Sequence, residues 1–193
     1  MSKYVDPLEL IRKYYDPASE AYHILTIHSE RVTAKALDIV DRHPEWHLDR
    51  DFVAEAAMLH DIGIFLTDAP SIDCHGTEPY LMHGALGADL LRKEGLPRHA
   101  LVCERHTGTG VTLEEILREG YEMPHREMVP ITLEEQIICF ADCFYSKGNV
   151  EKLTVEKSVE SLREKQRGYG QDNLDRFDAW CTLFLITSHE STD

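Results

Sequence analysis

Apolar residues along the chain recur at spacings of three and four and nowhere alternate convincingly, so the pattern predicts helices and no strand. The clearest stripe is Ala21, Leu25, His28, Val32, Ala36 and Val40, one face of a helix from near Pro17 to about Arg42. A shorter helix precedes it at about Pro7 to Tyr15. Another starts near Asp49 or Asp51 and stops at Gly63, a residue type suited to the left-handed turn that closes helices. Phe65 to Tyr80 carries prolines, glycine, aspartates and few apolar residues and reads as a loop. Further helices are expected at about Leu81 to Glu94 and Pro97 to His106, separated by Gly95 and closed by Thr107-Gly108-Thr109-Gly110. Thr112 with Glu115, and Thr132 with Glu135, each match a capping box; they open a short helix to about Glu119 and a longer one to about Lys147. Two more helices are expected at about Val155 to Gln166 and Asn173 to Thr187. No linker or repeat interrupts the series. The expectation is a single all-α domain of eight or nine helices, with its core in residues 20–150 and helices in 154–188 packed on it.

Two helices carry charge where the pattern demands none. From Ile137 to Tyr145 the one charged residue is Asp142, although a segment that apolar should be buried nearly all round. An ionised carboxylate there costs several kcal/mol unless it is paired or bound to a cation. A salt bridge or a capped helix end explains it as well as a metal does. The second case is Met58-Leu59-His60-Asp61-Ile62-Gly63, at the end of an alanine-rich helix. Adjacent helical residues point about 100° apart, so both can reach one ion only where the backbone turns. His28 lies on the buried face between Leu25 and Val32, where a hydrogen-bonded core histidine is the plain alternative. His83 opens a helix followed by Gly84, Ala85, Gly87 and Ala88, small residues that serve a crowded site or ordinary close packing equally. His106 closes a helix and suits a capping role against the helix dipole.

Composition narrows the ligands. The 193 residues hold 20 Lys plus Arg against 35 Asp plus Glu, a formal charge of −15. Such acidity repels nucleic-acid polymers and anionic membranes, and leaves a small anionic substrate open if local cations offset the field. No apolar run approaches the ~20 residues of a membrane span, and the N-terminus shows no signal pattern. Cys74, Cys103, Cys139, Cys143 and Cys181 form no CxxC pair and read as reduced thiols of a cytoplasmic protein.

Taken in order, His28, His60-Asp61, His83, His106 and Asp142 form a series that resembles the HD superfamily of metal-dependent phosphohydrolases, specifically its HDIG-containing members. LHDIG, HGALGADLLRKEGLP, ERHTGTG and VPITLEEQIICFADCFYSK carry the resemblance, which runs from about His28 to Lys147. The resemblance implies that His28, His60, Asp61 and Asp142 hold one divalent metal and that Asp61 bridges to a second held by His83 and His106. Mixed nitrogen and oxygen donors suit iron or manganese, with zinc, nickel, cobalt or magnesium as substitutes. Two such ions activate water towards a phosphate ester or anhydride, with Asp61 and Lys147 as catalytic groups. Lys147, Arg31, Arg105 and Thr107 are the candidate contacts to a nucleotide or other small phosphorylated metabolite.

Two further readings stay open. Some proteins of this fold with the same six ligands are di-iron oxygenases, including inositol oxygenases and organophosphonate-cleaving enzymes. A non-catalytic metal and ligand sensor is the other. Tyr14, Tyr15 and Tyr22 either shield such a pocket or pack on the core. Outside the series, His43, His47 and His189 are expected in solvent, His75 is a possible visitor to the site, and His23, His99 and His125 have no assigned role. Phe177, Trp180, Leu183 and Phe184 pack within the chain or form a face for a second copy.

Overall fold

Side-chain caps set the helix starts. The computed structural model describes residues 5–148 and 150–185. Among them are nine α-helices: α1 (Pro7–Tyr14), α2 (Glu20–Arg42), α3 (Arg50–Leu59), α4 (His83–Lys93), α5 (Pro97–Arg105), α6 (Leu113–Glu119), α7 (Leu133–Cys143), α8 (Val159–Tyr169) and α9 (Gln171–Leu185). The single all-α domain expected from periodicity is the one observed. Asp6, Ser19, Asp49, Thr112, Thr132 and Ser158 each accept a backbone N–H at a helix start, satisfying donors that the helix leaves free. Ser19 accounts for one shifted boundary. A turn closed by Ser19 N–H donating to Asp16 O at 2.9 Å holds Pro17 outside α2. Ser158 likewise starts α8 at Val159 instead of Val155. The Thr112–Glu115 capping box is complete. At Thr132 only half of it forms, because the Glu135 carboxylate accepts from Ile131 N–H at 2.8 Å.

Residues 64–82 are more ordered than a plain loop. Two short 3-10 turns flank, and a third connects, a two-residue antiparallel ladder, β1 (Asp68–Ala69) with β2 (Cys74–His75), in register Asp68 opposite His75. Strands this short have no room for the alternation by which a strand is recognised.

The interior consists of two main apolar clusters with a polar seam between them. One gathers Val32, Ala36 and Ile39 of α2, Val53, Ala56 and Ala57 of α3, the buried run Ile137–Ala141 of α7, and Phe177, Trp180 and Phe184 of α9. Phe140 packs on Phe144, Phe177 and Phe184 at centroid distances of 5.0, 5.5 and 5.4 Å, so α9 is held inside the monomer; Leu183 alone of its apolar set is exposed. The other cluster gathers Ile24 and Leu25 of α2, Leu59, Ile62 and Ile64, and Ala88, Leu91, Ala100 and Cys103 of α4 and α5. Tyr15 and Tyr22 belong to it, which settles the tyrosines as core. Along α2 the change from one cluster to the other falls between Leu25 and Val32, at His28. Along α3 it falls at Ala57 to Leu59, next to His60.

Glycines bring backbone against backbone beside that seam. Gly63 has φ −84, so it is not the left-handed cap expected from the sequence. It is there for space: a Cβ would lie 2.3 Å from His83 O and 2.5 Å from Gly87 N. A Cβ at Gly84 would meet Cys103 O at 2.7 Å, and one at Gly87 would meet Cys103 Sγ at 2.5 Å. The turn after α3, α4 and α5 therefore interlock at near contact distance.

Candidate metal centre

Each of the six polar residues is delivered to the seam by a different local device. His28 is fully buried on α2. α3 ends at Leu59, and the turn that follows presents His60 and Asp61 together, as adjacent residues require. That turn is braced by Ile62 N–H to Leu59 O at 3.1 Å and by the Tyr15 hydroxyl donating to Ile62 O at 2.8 Å. His83 is the first residue of α4, His106 follows the last residue of α5, and Asp142 sits one residue from the end of α7.

The side chains converge on Asp61. Its Oδ2 lies 3.2 Å from His28 Nε2 and 3.0 Å from His60 Nε2; its Oδ1 lies 3.5 Å from His83 Nε2 and 3.3 Å from His106 Nε2. Asp142 Oδ1 is 2.9 Å from His28 Nε2 and 3.5 Å from His60 Nε2. Among the described residues, two sets could each hold a metal ion: His28, His60, Asp61 and Asp142, and Asp61, His83 and His106. The two oxygens of one carboxylate divide between the sets.

Hydrogen bonding favours a cation there over a proton network. His60, His83 and His106 each place Nδ1 against a carbonyl oxygen, of Ala57, Tyr80 and Cys103, at 2.6, 2.6 and 2.7 Å. A carbonyl only accepts, so each Nδ1 carries the proton and, in the neutral ring, each Nε2 presents a lone pair. Two of those lone pairs, on His83 and His106, face each other at 3.1 Å. Burial lowers the His83 pKa to about 4, so protonation does not relieve that contact near neutrality. His60 Nε2 and Asp61 Oδ1 are buried without a well-aligned hydrogen bond. Acceptors turned towards one point are the arrangement that a divalent ion satisfies. The residues fit the group.

Charge in the cluster is finely opposed. Burial raises the Asp61 pKa, but Lys147 and then His60 outweigh it and hold the carboxyl well below its usual range. The same holds for Asp142, where Lys147 and His28 oppose burial. Burial lowers the His60 pKa, yet Asp61 and Asp142 carry it to about 10, so its nitrogen competes strongly for a proton or a metal. Lys147 Nζ donates to Asp61 Oδ2 and lies 3.9 Å from Asp142 Oδ1 and 3.4 Å from His28 Nε2. An ammonium thus stands among the atoms of the first set.

The cluster opens into a cleft of about 720 Å³ whose walls include His83, His106, Thr107, Asp142 and Lys147. Tyr80 stacks on His83 at 4.7 Å on this rim. Thr107 is a cleft residue, and its hydroxyl has no partner among the described residues. Arg105 and Arg31 are not among the residues that line the cleft. Nη1 of Arg105 donates to both oxygens of Glu135, at 2.9 and 3.1 Å. Arg31 is exposed on α2 and lines no part of the cleft.

The remaining histidines divide. His75 is 68% exposed and bonded to Asp73 at 3.2 Å, away from the cleft. His43 is buried, not solvated, because it stacks on Trp46 at 3.9 Å and bonds Glu45. His99 is a buried partner of Glu55 at 3.0 Å, while His23, His47 and His125 are exposed. His189 and Thr187 lie outside the described residues. What sequence reasoning missed is the far wall of the cleft, Lys157, Lys165, Gln166 and Tyr169. The one trace of it was Gln166 at the end of an expected helix.

Comparison with known proteins agrees with the geometry. The HD domain family matches residues 25–146, a segment that contains all six converging residues. An uncharacterized protein of Methanocaldococcus jannaschii is 37% identical over 145 residues, 74% of this chain and 76% of that one. Two proteins named tRNA (cytidine(56)-2'-O)-methyltransferase, of Picrophilus torridus and Thermoplasma volcanium, are 34% and 31% identical over 137 and 159 residues. Those matches span 70% and 82% of this chain but only 36% and 40% of the two relatives. No solved structure matches the chain. With the family spanning the seam, and a sequence series that converges where that family's metal would sit, the chain belongs to the HD domain family.

Proposed function

We propose that the chain is a metal-dependent phosphohydrolase that cleaves an ester or anhydride of a small phosphorylated metabolite or nucleotide with water. The observation that carries the reading is the division of Asp61, whose Oδ2 serves one ligand set and whose Oδ1 serves the other. Iron or manganese is the proposed occupant. Two such cations would bring a water's pKa towards ~7 and neutralise charge on a phosphoryl group. His28, His60, Asp61 and Asp142 would hold one, and Asp61, His83 and His106 the other. Asp61 is then the carboxylate that orients the attacking water and accepts its hydrogen bond. Lys147, on the cleft wall and charged, donates to a phosphoryl oxygen. Thr107, on the same wall, is a second candidate contact.

The acid surface argues for a small ligand. A chain of net charge −15 pays a repulsive cost against a polymeric phosphate backbone. The tRNA named in two relatives belongs to proteins of which this chain covers 36% and 40%. A cytoplasmic setting is proposed on the five free thiols; separately, no described helix is long and apolar enough to cross a membrane.

Turnover of phosphate monoesters and nucleotides by the manganese-loaded protein under argon tests this reading. Hydrolysis should persist at the rate measured in air. Turnover that requires dioxygen would point instead to the oxygenase chemistry available to the same ligands, and no turnover of any phosphate in either atmosphere would count against an enzyme.

A further inference from the structure

The cleft does not end at the metal centre. Part of its wall comes from the segment after residue 146, beyond the HD match, and includes Lys165, Gln166 and Tyr169 of α8. Lys157 and Lys165 both face it, and among the described residues neither makes an ion pair with a carboxylate. Lys157 Nζ donates to the carbonyl oxygen of Tyr145 at 3.0 Å, and Lys165 Nζ lies 5.7 Å from the Tyr169 ring. Burial and then the nearby Lys165 charge depress the Lys157 pKa, and the Asp142 carboxylate only partly offsets them. In a chain with 35 acidic residues, two like charges in one cleft without an acidic partner stand out. Gln166 lies beside them, 1% exposed, and its Nε2 donates only to Cys143 Sγ at a long 3.9 Å, which leaves its N–H donors weakly used. A buried amide with so little to bond is costly unless a ligand or water uses it.

We propose that this far end is a second anion subsite, so the preferred substrate carries two separated anionic groups: the scissile phosphate and a distant phosphate or carboxylate. Which end reacts rests on the phosphohydrolase reading; the subsite itself does not. Lys157 and Lys165 supply the charge and Gln166 a neutral polar contact, while the tyrosine rings along the wall pack on the spacer. A monophosphate without a second charge fills half of the cleft.

Calorimetric titration of the manganese-loaded protein with butyl phosphate, butanediol bisphosphate and phosphorylated hydroxybutyrate tests the proposal by binding alone. One or both doubly anionic probes should bind about tenfold more tightly than butyl phosphate, the scale of one charge-assisted contact. Which of the two does so identifies the second group as phosphate or carboxylate. In Lys165→Gln, an exposed position that leaves the core untouched, that ratio should fall; in Lys157→Gln/Lys165→Gln it should approach one, and Lys165→Arg should keep it. Equal affinity for all three probes, no binding of any, or a ratio unchanged in the double variant overturns the subsite. Hydrolysis of butyl phosphate with no preference would remove the subsite and leave the proposed reaction. Preference without hydrolysis would do the reverse.

Discussion

Replacing Asp61 with asparagine is expected to cut turnover by roughly a thousandfold or more, the scale on which preorganised electrostatic groups act. The change removes one oxygen's charge from both ligand sets at once, whereas loss of any single histidine touches only one. It has a second cost. Lys147 donates to Asp61, and the other carboxylate near it, Asp142, is 3.9 Å away. Burial opposes the Lys147 charge, and Asp61 is the first of the groups that outweigh it. Without Asp61 a mostly buried ammonium loses its main partner, a change worth roughly 3–5 kcal/mol where such pairs are broken one-sidedly. The expected result is therefore low activity, low metal content and a lower melting temperature, with the helical circular dichroism spectrum kept. Asp61→Asn at full activity would contradict both roles. The pH dependence has a definite sign: the Asp61 pKa is lowered by folding, so its stabilisation is present above the ordinary carboxylate range and lost as pH falls towards the folded value.

Gly63→Ala should be the most damaging glycine-to-alanine change among Gly63, Gly84 and Gly87, the glycines packed beside the ligands. The backbone angle itself tolerates alanine, since φ is −84. The obstacle is space, because the added carbon would sit 2.3 Å from His83 O and 2.5 Å from Gly87 N, both main-chain atoms. No side chain can rotate aside, so α4 must move as a body and carries His83 with it. Overpacking of this kind costs roughly 1–3 kcal/mol. Denaturant midpoints should drop accordingly, and metal held by His83 should weaken in the same variant. Gly168→Ala, in α8 with nothing within 4 Å, is the control. Helix propensity predicts that it is neutral or stabilising by up to ~1 kcal/mol. Equal stability of Gly63→Ala and the parent chain would show that the close approach is not needed.

The readable parts of this protein were those whose signal is local. Helix α7 announced itself by an apolar run with one carboxylate in it, and Asp142 is indeed on the seam. His60 and Asp61 were legible because adjacent residues share a site only past a helix end, and α3 ends at Leu59. Illegible parts depend on partners far along the chain. Arg105 adjoins His106, yet Glu135, 30 residues on, takes its guanidinium. Gly63 resembles a helix cap until α4 is seen to press against it. The cleft's far wall arises from α8 folding over the α7 end, where no periodicity or motif marks Lys157 or Lys165. His43 is buried where its loop position predicts solvent, because it stacks on Trp46, a contact that a proline-bounded turn does not reveal in sequence.

Metal content per chain, determined on protein made in manganese- or iron-supplemented culture and on its His83→Ala/His106→Ala variant, bears most directly on the shared carboxylate. Two adjoining ligand sets predict about two ions per parent chain and about one in the variant. Equal metal content in both proteins, or none in a parent chain that still turns over substrate, would contradict a paired centre built on Asp61.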